Sequence, residues 1–230
     1  MVIQGLQKLT MLDYPDKMAC TIFTCGCNFR CPFCHNASLV VDTHKYQKIP
    51  EEDVFAFLKK RQGMLEGVCV SGGEPLIQKD IEEFIEKIKE MGYLVKLDTN
   101  GSHPDILKRL IDNKLLDYVA MDIKNSREKY AKTIGVDDYD LSGVDKSIRL
   151  LMKGDMPYEF RTTVVKEFHT KSDFHDMARW IKGARAYYLQ HFVDSEEMIQ
   201  EGLHGYDAPI MEQALEIVKQ DVESAQLRGL

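Results

Sequence analysis

At 230 residues the chain has length for one α/β barrel-like domain or for two small ones. Its 44% hydrophobic and 29% charged residues are ordinary for a globular protein, and no apolar run approaches the roughly 18 residues of a membrane span. A net charge of −7 with no Lys/Arg block argues against nucleic acid as the main partner, and no membrane partner is expected. The opening stretch, MVIQGLQKLTMLDYPDK, lacks a basic region followed by an apolar core, so no secretory signal is read and a cytoplasmic location is expected.

Apolar strand-like runs alternate with amphipathic helical ones, which predicts α/β architecture with parallel strands. The first strand is expected at Met18–Thr24, followed by a cysteine-rich loop. A helix from about Pro50 to Gln62 has Glu51 and Glu52 in its first turn, Lys59, Lys60 and Arg61 in its last, and Gly63 beyond, which suits the helix dipole. A strand near Val68–Ser71 leads to a helix over Lys79–Met91, whose Ile81, Phe84, Ile85, Ile88 and Met91 share one face. Next come a strand at Tyr93–Asp98 and a helix from Pro104 to about Lys114, with Ile106, Leu107, Leu110 and Ile111 inward. Strands at Tyr118–Ile123, Tyr158–Val165 and Ala186–Phe192 follow, and a last helix over Pro209–Gln226. With no linker or repeat, residues 1–230 read as a single domain of about six β/α units, a partial, open (β/α)6 TIM-like barrel of parallel strands.

Unusual polar residues stand at the C-terminal ends of successive strands: Cys27, Cys31 and Cys34; Gly72, Gly73 and Glu74; Asp98, Thr99 and Asn100; Asp122 with Lys124; Gln190 and His191. In a parallel barrel those ends converge on one face, where active sites are built. Of six cysteines, four lie between Cys25 and Cys34, which suits a metal site better than a disulfide framework. The spacing of Cys27, Cys31 and Cys34 is C-x3-C-x2-C. Three such thiolates hold three irons of a [4Fe-4S] cluster and leave the fourth iron open to another ligand. Zinc is the alternative, with Cys25 or His35 as fourth ligand. Cys20 and Cys69 lie in strand-like runs and read as core.

Each remaining motif has a plain reading beside the functional one. Gly72 and Gly73 let a ligand approach the main chain, but such a turn is more often a simple connection. Asp98–Gly101 reads equally as a turn with a helix start. Asp122 and Lys124 flank Ile123 and so point to one side, as a structural ion pair or as holders of a polar cofactor. A lone histidine such as His191 is more often structural than functional.

CNFRCPFC with SGGEP downstream resembles the radical S-adenosylmethionine (SAM) superfamily. Cys34-His35-Asn36, DTNG (Asp98–Gly101) and MDIK (Met121–Lys124) are similar to its glycyl-radical enzyme activases. The stretch from GLQKLTMLDYPDK to TIFTCGCNFRCPFCHN is similar to activating proteins of anaerobic ribonucleoside-triphosphate reductase. The resemblance spans nearly the whole chain, strongest from Gly5 to Pro75 and weak after Val165. It implies an enzyme in which Cys27, Cys31 and Cys34 ligate one [4Fe-4S] cluster and SAM chelates the open iron. It also implies SAM contacts from Phe33, Cys34, His35, Gly72, Gly73, Glu74, Asn100, Asp122, Lys124 and the segment near His191. Asp98, Thr99 and Asp122 match positions that hold a Na+ or K+ ion.

The implied reaction takes one electron from flavodoxin or ferredoxin and cleaves SAM to methionine and a 5′-deoxyadenosyl radical. That radical removes a Cα hydrogen from a glycine of a partner enzyme, and no side chain is expected to act as general acid or base. Anaerobic ribonucleotide reductase is the expected partner, with pyruvate formate-lyase or another glycyl-radical enzyme as the alternative. Cys25 has no counterpart in the pattern, and Lys45–Pro50 follows the motif too closely to admit an inserted ferredoxin-like domain, so one cluster is expected. A small-molecule enzyme resembling 7-carboxy-7-deazaguanine synthase and a non-catalytic zinc-binding module are the competing readings.

Overall fold

The run ACTIFT, rich in Thr, Ile and Phe, suits a pleated and buried surface, and in the computed structural model it forms strand β2 (Ala19–Thr24), with only Phe23 less than fully buried. The structure describes residues 1–41, 43–44, 47–194 and 198–230, so the first two residues of the Lys45–Pro50 run lie outside it. Before β2 comes β1 (Ile3–Thr10), antiparallel to it, with Gly5 opposite Phe23 and Gln7 opposite Thr21. β1 is not among the expected strands: Gln7, Lys8 and Leu9 are all exposed, so the strand has no strict alternation. The further strands are β3 (Gly67–Gly72), β4 (Leu94–Thr99), β5 (Tyr118–Asp122), β6 (Tyr158–Val164), β7 (Tyr187–His191) and β8 (Ala225–Arg228). The fold is α/β, with an open sheet whose strands follow chain order, β2, β3 and β4 running parallel to one another and β6, β7 and β8 likewise. All six expected strands are present as β2 to β7.

Two compact units divide the chain. The first comprises Met1–Asn28, Ser38–Thr99 and His103–Val119. In it β2 pairs with β3 (Ile22 opposite Val70, Thr24 opposite Gly72) and β3 with β4 (Val70 opposite Leu97). Its helices are Glu51–Arg61, Ile81–Glu90 and Pro104–Asp112. Ile81, Phe84, Ile85 and Ile88 are buried as their spacing requires, whereas Ile106 and Ile111 are only half-buried beside buried Leu107 and Leu110.

The second unit comprises Phe29–Ala37, Asn100–Ser102 and Ala120–Leu230. Here β6, β7 and β8 form a parallel ladder in which Arg161 lies opposite Tyr188, and Gln190 opposite both Thr163 and Arg228. Helices Ser142–Lys153, Lys171–Trp180 and Ala208–Val218 cover it, and the second of these begins in a capping box of Thr170 with Asp173. The expected helix over Pro209–Gln226 is corrected: helix ends at Val218 and the chain returns as β8. Main-chain bonds from Glu223 N to Ala184 O and from Tyr187 N to Ser224 O, both 2.9 Å, draw it onto β7.

Candidate active site

In the first unit the Gly72-Gly73 turn is laced to the chain that carries Cys27. Gly73 N donates to Thr24 O at 3.0 Å and Glu74 N to Gly26 O at 2.8 Å. A Cβ on Gly73 would stand 2.0 Å from Gly26 O, and one on Gly72, whose φ is +127°, 2.3 Å from Thr24 N and O. Gly72 is therefore required by the approach of β2, and Gly73 by the approach of the chain just beyond it. Glu74 is wholly buried, and its Oε1 accepts from Leu76 N (3.1 Å) and Thr99 Oγ1 (2.8 Å), capping the turn Pro75–Ile77. Asp98 accepts from Ser71 Oγ at 3.1 Å and pairs with the ammonium of Lys96. Cys25 is half-buried, burial pushes its thiol up, and its carbonyl accepts from Gln78 Nε2 at 2.7 Å. Cys20 and Cys69 are buried core residues, with the Cys20 thiol pushed up to about 12 by burial.

In the second unit Cys34 N donates to Cys31 O at 3.0 Å, so these two cysteines share one turn. Arg30 N donates to Ile134 O at 2.8 Å, and Gly135, with φ +64°, admits Arg30 O where a Cβ would stand 2.5 Å from it. Asp122 Oδ2 takes Lys124 Nζ at 2.9 Å and Oδ1 takes Arg161 Nε at 3.0 Å. Burial opposes the charge on Asp122, but Lys124 and Arg161 outweigh it and hold the carboxyl down at about 2. Burial likewise opposes the Lys124 charge, while Asp122 and Cys31 raise its pKa. Burial pushes the Cys34 thiol up, and Lys124 and Arg30 act against that. Cys31 and Cys34 thus lie within electrostatic reach of Lys124, and Cys34 within reach of Asp122 as well.

The other expected residues of this unit make protein contacts of their own. Phe33 is buried against Phe168, with ring centroids 5.6 Å apart. His35 is exposed, stacks on Phe192 and bonds Val193 O at 2.9 Å. Asn100 Oδ1 accepts from Ser102 N at 2.9 Å, forming a local turn, and His191 Nε2 bonds Tyr206 O at 2.9 Å. Sequence reasoning missed Lys96, Arg161, and the bidentate pair of Arg228 with buried Glu159 at 2.7 and 2.8 Å. The signal was the strand period: Glu159, Arg161 and Thr163 alternate with Phe160, Thr162 and Val164, and Lys96 and Asp98 with Val95 and Leu97. Among the described residues, no group of three or more His, Cys, Asp or Glu side chains is arranged to hold a metal ion, so the ligand set rests on cysteine spacing.

Comparison with known proteins supplies the family. A protein of Methanocaldococcus jannaschii, provisionally named a glycyl-radical enzyme activating enzyme, is 36% identical over 195 residues, which is 83% of this chain and 80% of that one. 7-Carboxy-7-deazaguanine synthase of Thermoplasma acidophilum is 25% identical over 155 residues, 67% of this chain and 70% of its own. Among solved structures, Streptococcus suis SuiB has a TM-score of 0.70 over 89% of this chain and 47% of its own, at 13% identity. A domain of pyruvate-formate lyase-activating enzyme from Bacteroides vulgatus has a TM-score of 0.57 over 71% of this chain and 99% of its own, at 17% identity. These two structures speak for the fold alone. The Radical SAM superfamily matches residues 21–181, which include the three cysteines, the Gly-Gly-Glu turn, Asp98, Asp122, Lys124 and Arg161, and the chain belongs to that superfamily.

Proposed function

We propose that this chain activates a glycyl-radical enzyme, with anaerobic ribonucleoside-triphosphate reductase as its partner and a flavodoxin or ferredoxin as electron donor. The observation that carries this reading is the 36% identity to the M. jannaschii protein over 195 residues. The residues fit the implied cofactors in each unit separately. Gly72 and Gly73 hold a turn closed to side chains, and the buried Thr24 Oγ1 beside it has no hydrogen-bond partner among the described residues. Lys124 is a cationic neighbour of Cys31 and Cys34, and at Cys34 it acts against the burial that pushes the thiol up.

A [4Fe-4S] cluster on Cys27, Cys31 and Cys34, with SAM at its open iron, supplies the one-electron cleavage of SAM that the reaction needs. The chain's own residues bind and orient. Gly72, Gly73 and Glu74 would border the methionyl end of SAM, and Asp122 and Lys124, with Asp122 also paired to Arg161, would supply the charged groups that help hold it. Phe33, His35, Asn100 and His191 shape the SAM surroundings through the loops they hold. A Na+ or K+ ion would have to compete with Lys96 at Asp98 and with Lys124 and Arg161 at Asp122. No helix among the described residues is long and apolar enough to cross a membrane, and an oxygen-labile cluster served by a reduced donor suits the cytoplasm. Residues 1–230 act as one catalytic domain in this reading.

The test is anaerobic incubation with SAM, the one-electron donor and the candidate reductase. The expected result is a glycyl-radical signal by electron paramagnetic resonance, lost when the partner's glycine is replaced by alanine. No such signal, with turnover of a pterin-like substrate, would move the chain to the deazaguanine synthases. Stoichiometric zinc without iron or sulfide in protein purified without oxygen would reject both.

A further inference from the structure

Strand β4 carries a buried charge that the proposed chemistry does not use. The Lys96 side chain is 1% exposed, and its neighbours Val95 and Leu97 are fully buried on the other face of the strand. Its ammonium pairs with Asp98 Oδ1 and lies 3.9 Å from Cys69 Sγ. The second Asp98 oxygen accepts from Ser71 Oγ at 3.1 Å, and Ser71 opens the turn that contains Gly72, Gly73 and Glu74. One residue past Asp98, Thr99 Oγ1 donates to Glu74 Oε1 at 2.8 Å. Two side-chain bonds therefore tie the ends of β3 and β4 together, and both depend on where the Asp98–Thr99 segment sits. A buried ammonium is costly unless a carboxylate answers it, and the same holds for Asp98, whose side chain is only 16% exposed. Each of the two charges makes the other tolerable.

We propose that Lys96 is a built-in counter-cation. It occupies the place at Asp98 that a monovalent metal ion would otherwise take, fixes the Gly-Gly-Glu turn through Asp98 and Ser71, and makes SAM binding independent of Na+ and K+. The binding arm of the test rests on the SAM reading above, whereas the thermal arm does not.

SAM affinity and, separately, the thermal midpoint of SAM-free protein are measured with tetramethylammonium as the only added cation and again with K+ or Na+. Wild-type affinity should agree within about twofold across the three buffers, and its midpoint should not move. Lys96→Met keeps length and apolar bulk while removing the charge. It should bind SAM about tenfold more weakly in tetramethylammonium and recover most of that loss, and part of its midpoint, in K+ or Na+. Lys96→Arg, which keeps the charge, should stay indifferent to the ion.

A wild-type affinity or midpoint that climbs with K+ or Na+ overturns the proposal. So does a folded Lys96→Met protein that binds undiminished in tetramethylammonium, or one whose loss neither ion repairs. If Lys96→Met does not fold, wild type and Lys96→Arg decide: ion independence in both supports the proposal, and an ion requirement in either overturns it. If wild type binds no SAM in any buffer the functional reading falls, and the thermal comparison still judges Lys96.

Discussion

His169 is wholly buried, and its ring joins two main-chain groups: Val165 N–H donates to Nδ1 at 3.1 Å, and Nε2–H donates to the Lys124 carbonyl at 2.9 Å. Nδ1 also lies 3.1 Å from Val165 O, and a neutral ring with its proton on Nε2 accepts from the Val165 N–H while donating to the Lys124 carbonyl. Burial lowers its pKa against the opposing pull of those main-chain contacts. With the folded value depressed, the unfolded chain takes up the proton first. The stabilisation is complete above the ordinary histidine pKa near 6.5 and is lost as pH falls below it, by no more than about 1.4 kcal/mol per pH unit. Urea unfolding of the metal-free protein between pH 7 and 5 should show that slope, and His169→Gln should flatten it; an unchanged slope would refute the assignment. At the same scale Gly73→Ala puts a methyl 2.0 Å from Gly26 O, and about 1–3 kcal/mol of overpacking should follow. Because Gly26 precedes Cys27, iron content should fall with the secondary structure intact by circular dichroism. The pair of glycines was visible in the sequence as a place of close approach. That its nearest neighbours are Thr24 and Gly26, at the end of β2 and just beyond it, was not, since a turn motif does not name what packs on it.

β8 shows where element-level reading runs out. Four residues give no period to count, and the first two, Ala225 and Gln226, follow a helical pattern closely enough to fall at the end of the expected helix. What makes it a strand is tertiary: the ladder to β7, and Arg228 reaching across the Tyr188 ring, 3.3 Å from its centroid, to both oxygens of Glu159. The helices with sharp apolar spacing, such as Ile81–Glu90, were legible because burial itself sets their period. Arg228→Ala should cost about 3 kcal/mol, as expected when one partner of a largely buried pair is removed. Arg228→Lys should restore little of it, because an ammonium cannot make the bidentate contact or the flat stack. Thermal melts of the two variants against wild type check this. Equal recovery by lysine would show that charge alone holds β8.

For the whole molecule, the spacing of the cysteines carried more information than any single placement. Cys27, Cys31 and Cys34 lie within eight consecutive residues, so the proposed ligand set is read from their spacing along the chain. The sequence made the trio legible because cysteines at such close spacing suit a metal or cluster better than a disulfide framework. It could not decide about Cys25, whose role depends on what surrounds it. In the structure burial raises the Cys25 thiol, and its main chain is committed, with N donating to Val2 O at 2.9 Å and O accepting from Gln78. A fourth thiolate would also close the iron that SAM must reach. Cys25→Ala and Cys20→Ala should therefore keep the iron and sulfide content of wild type, and SAM should still perturb the paramagnetic resonance spectrum of the reduced protein. Cys27→Ala, Cys31→Ala and Cys34→Ala should each lose the cluster and with it SAM cleavage. Full iron and SAM cleavage in any of those three would break the ligand assignment. Loss of the cluster in Cys25→Ala alone among the other cysteines would mean that the open coordination site is made by exchange of a fourth thiolate, not by its absence.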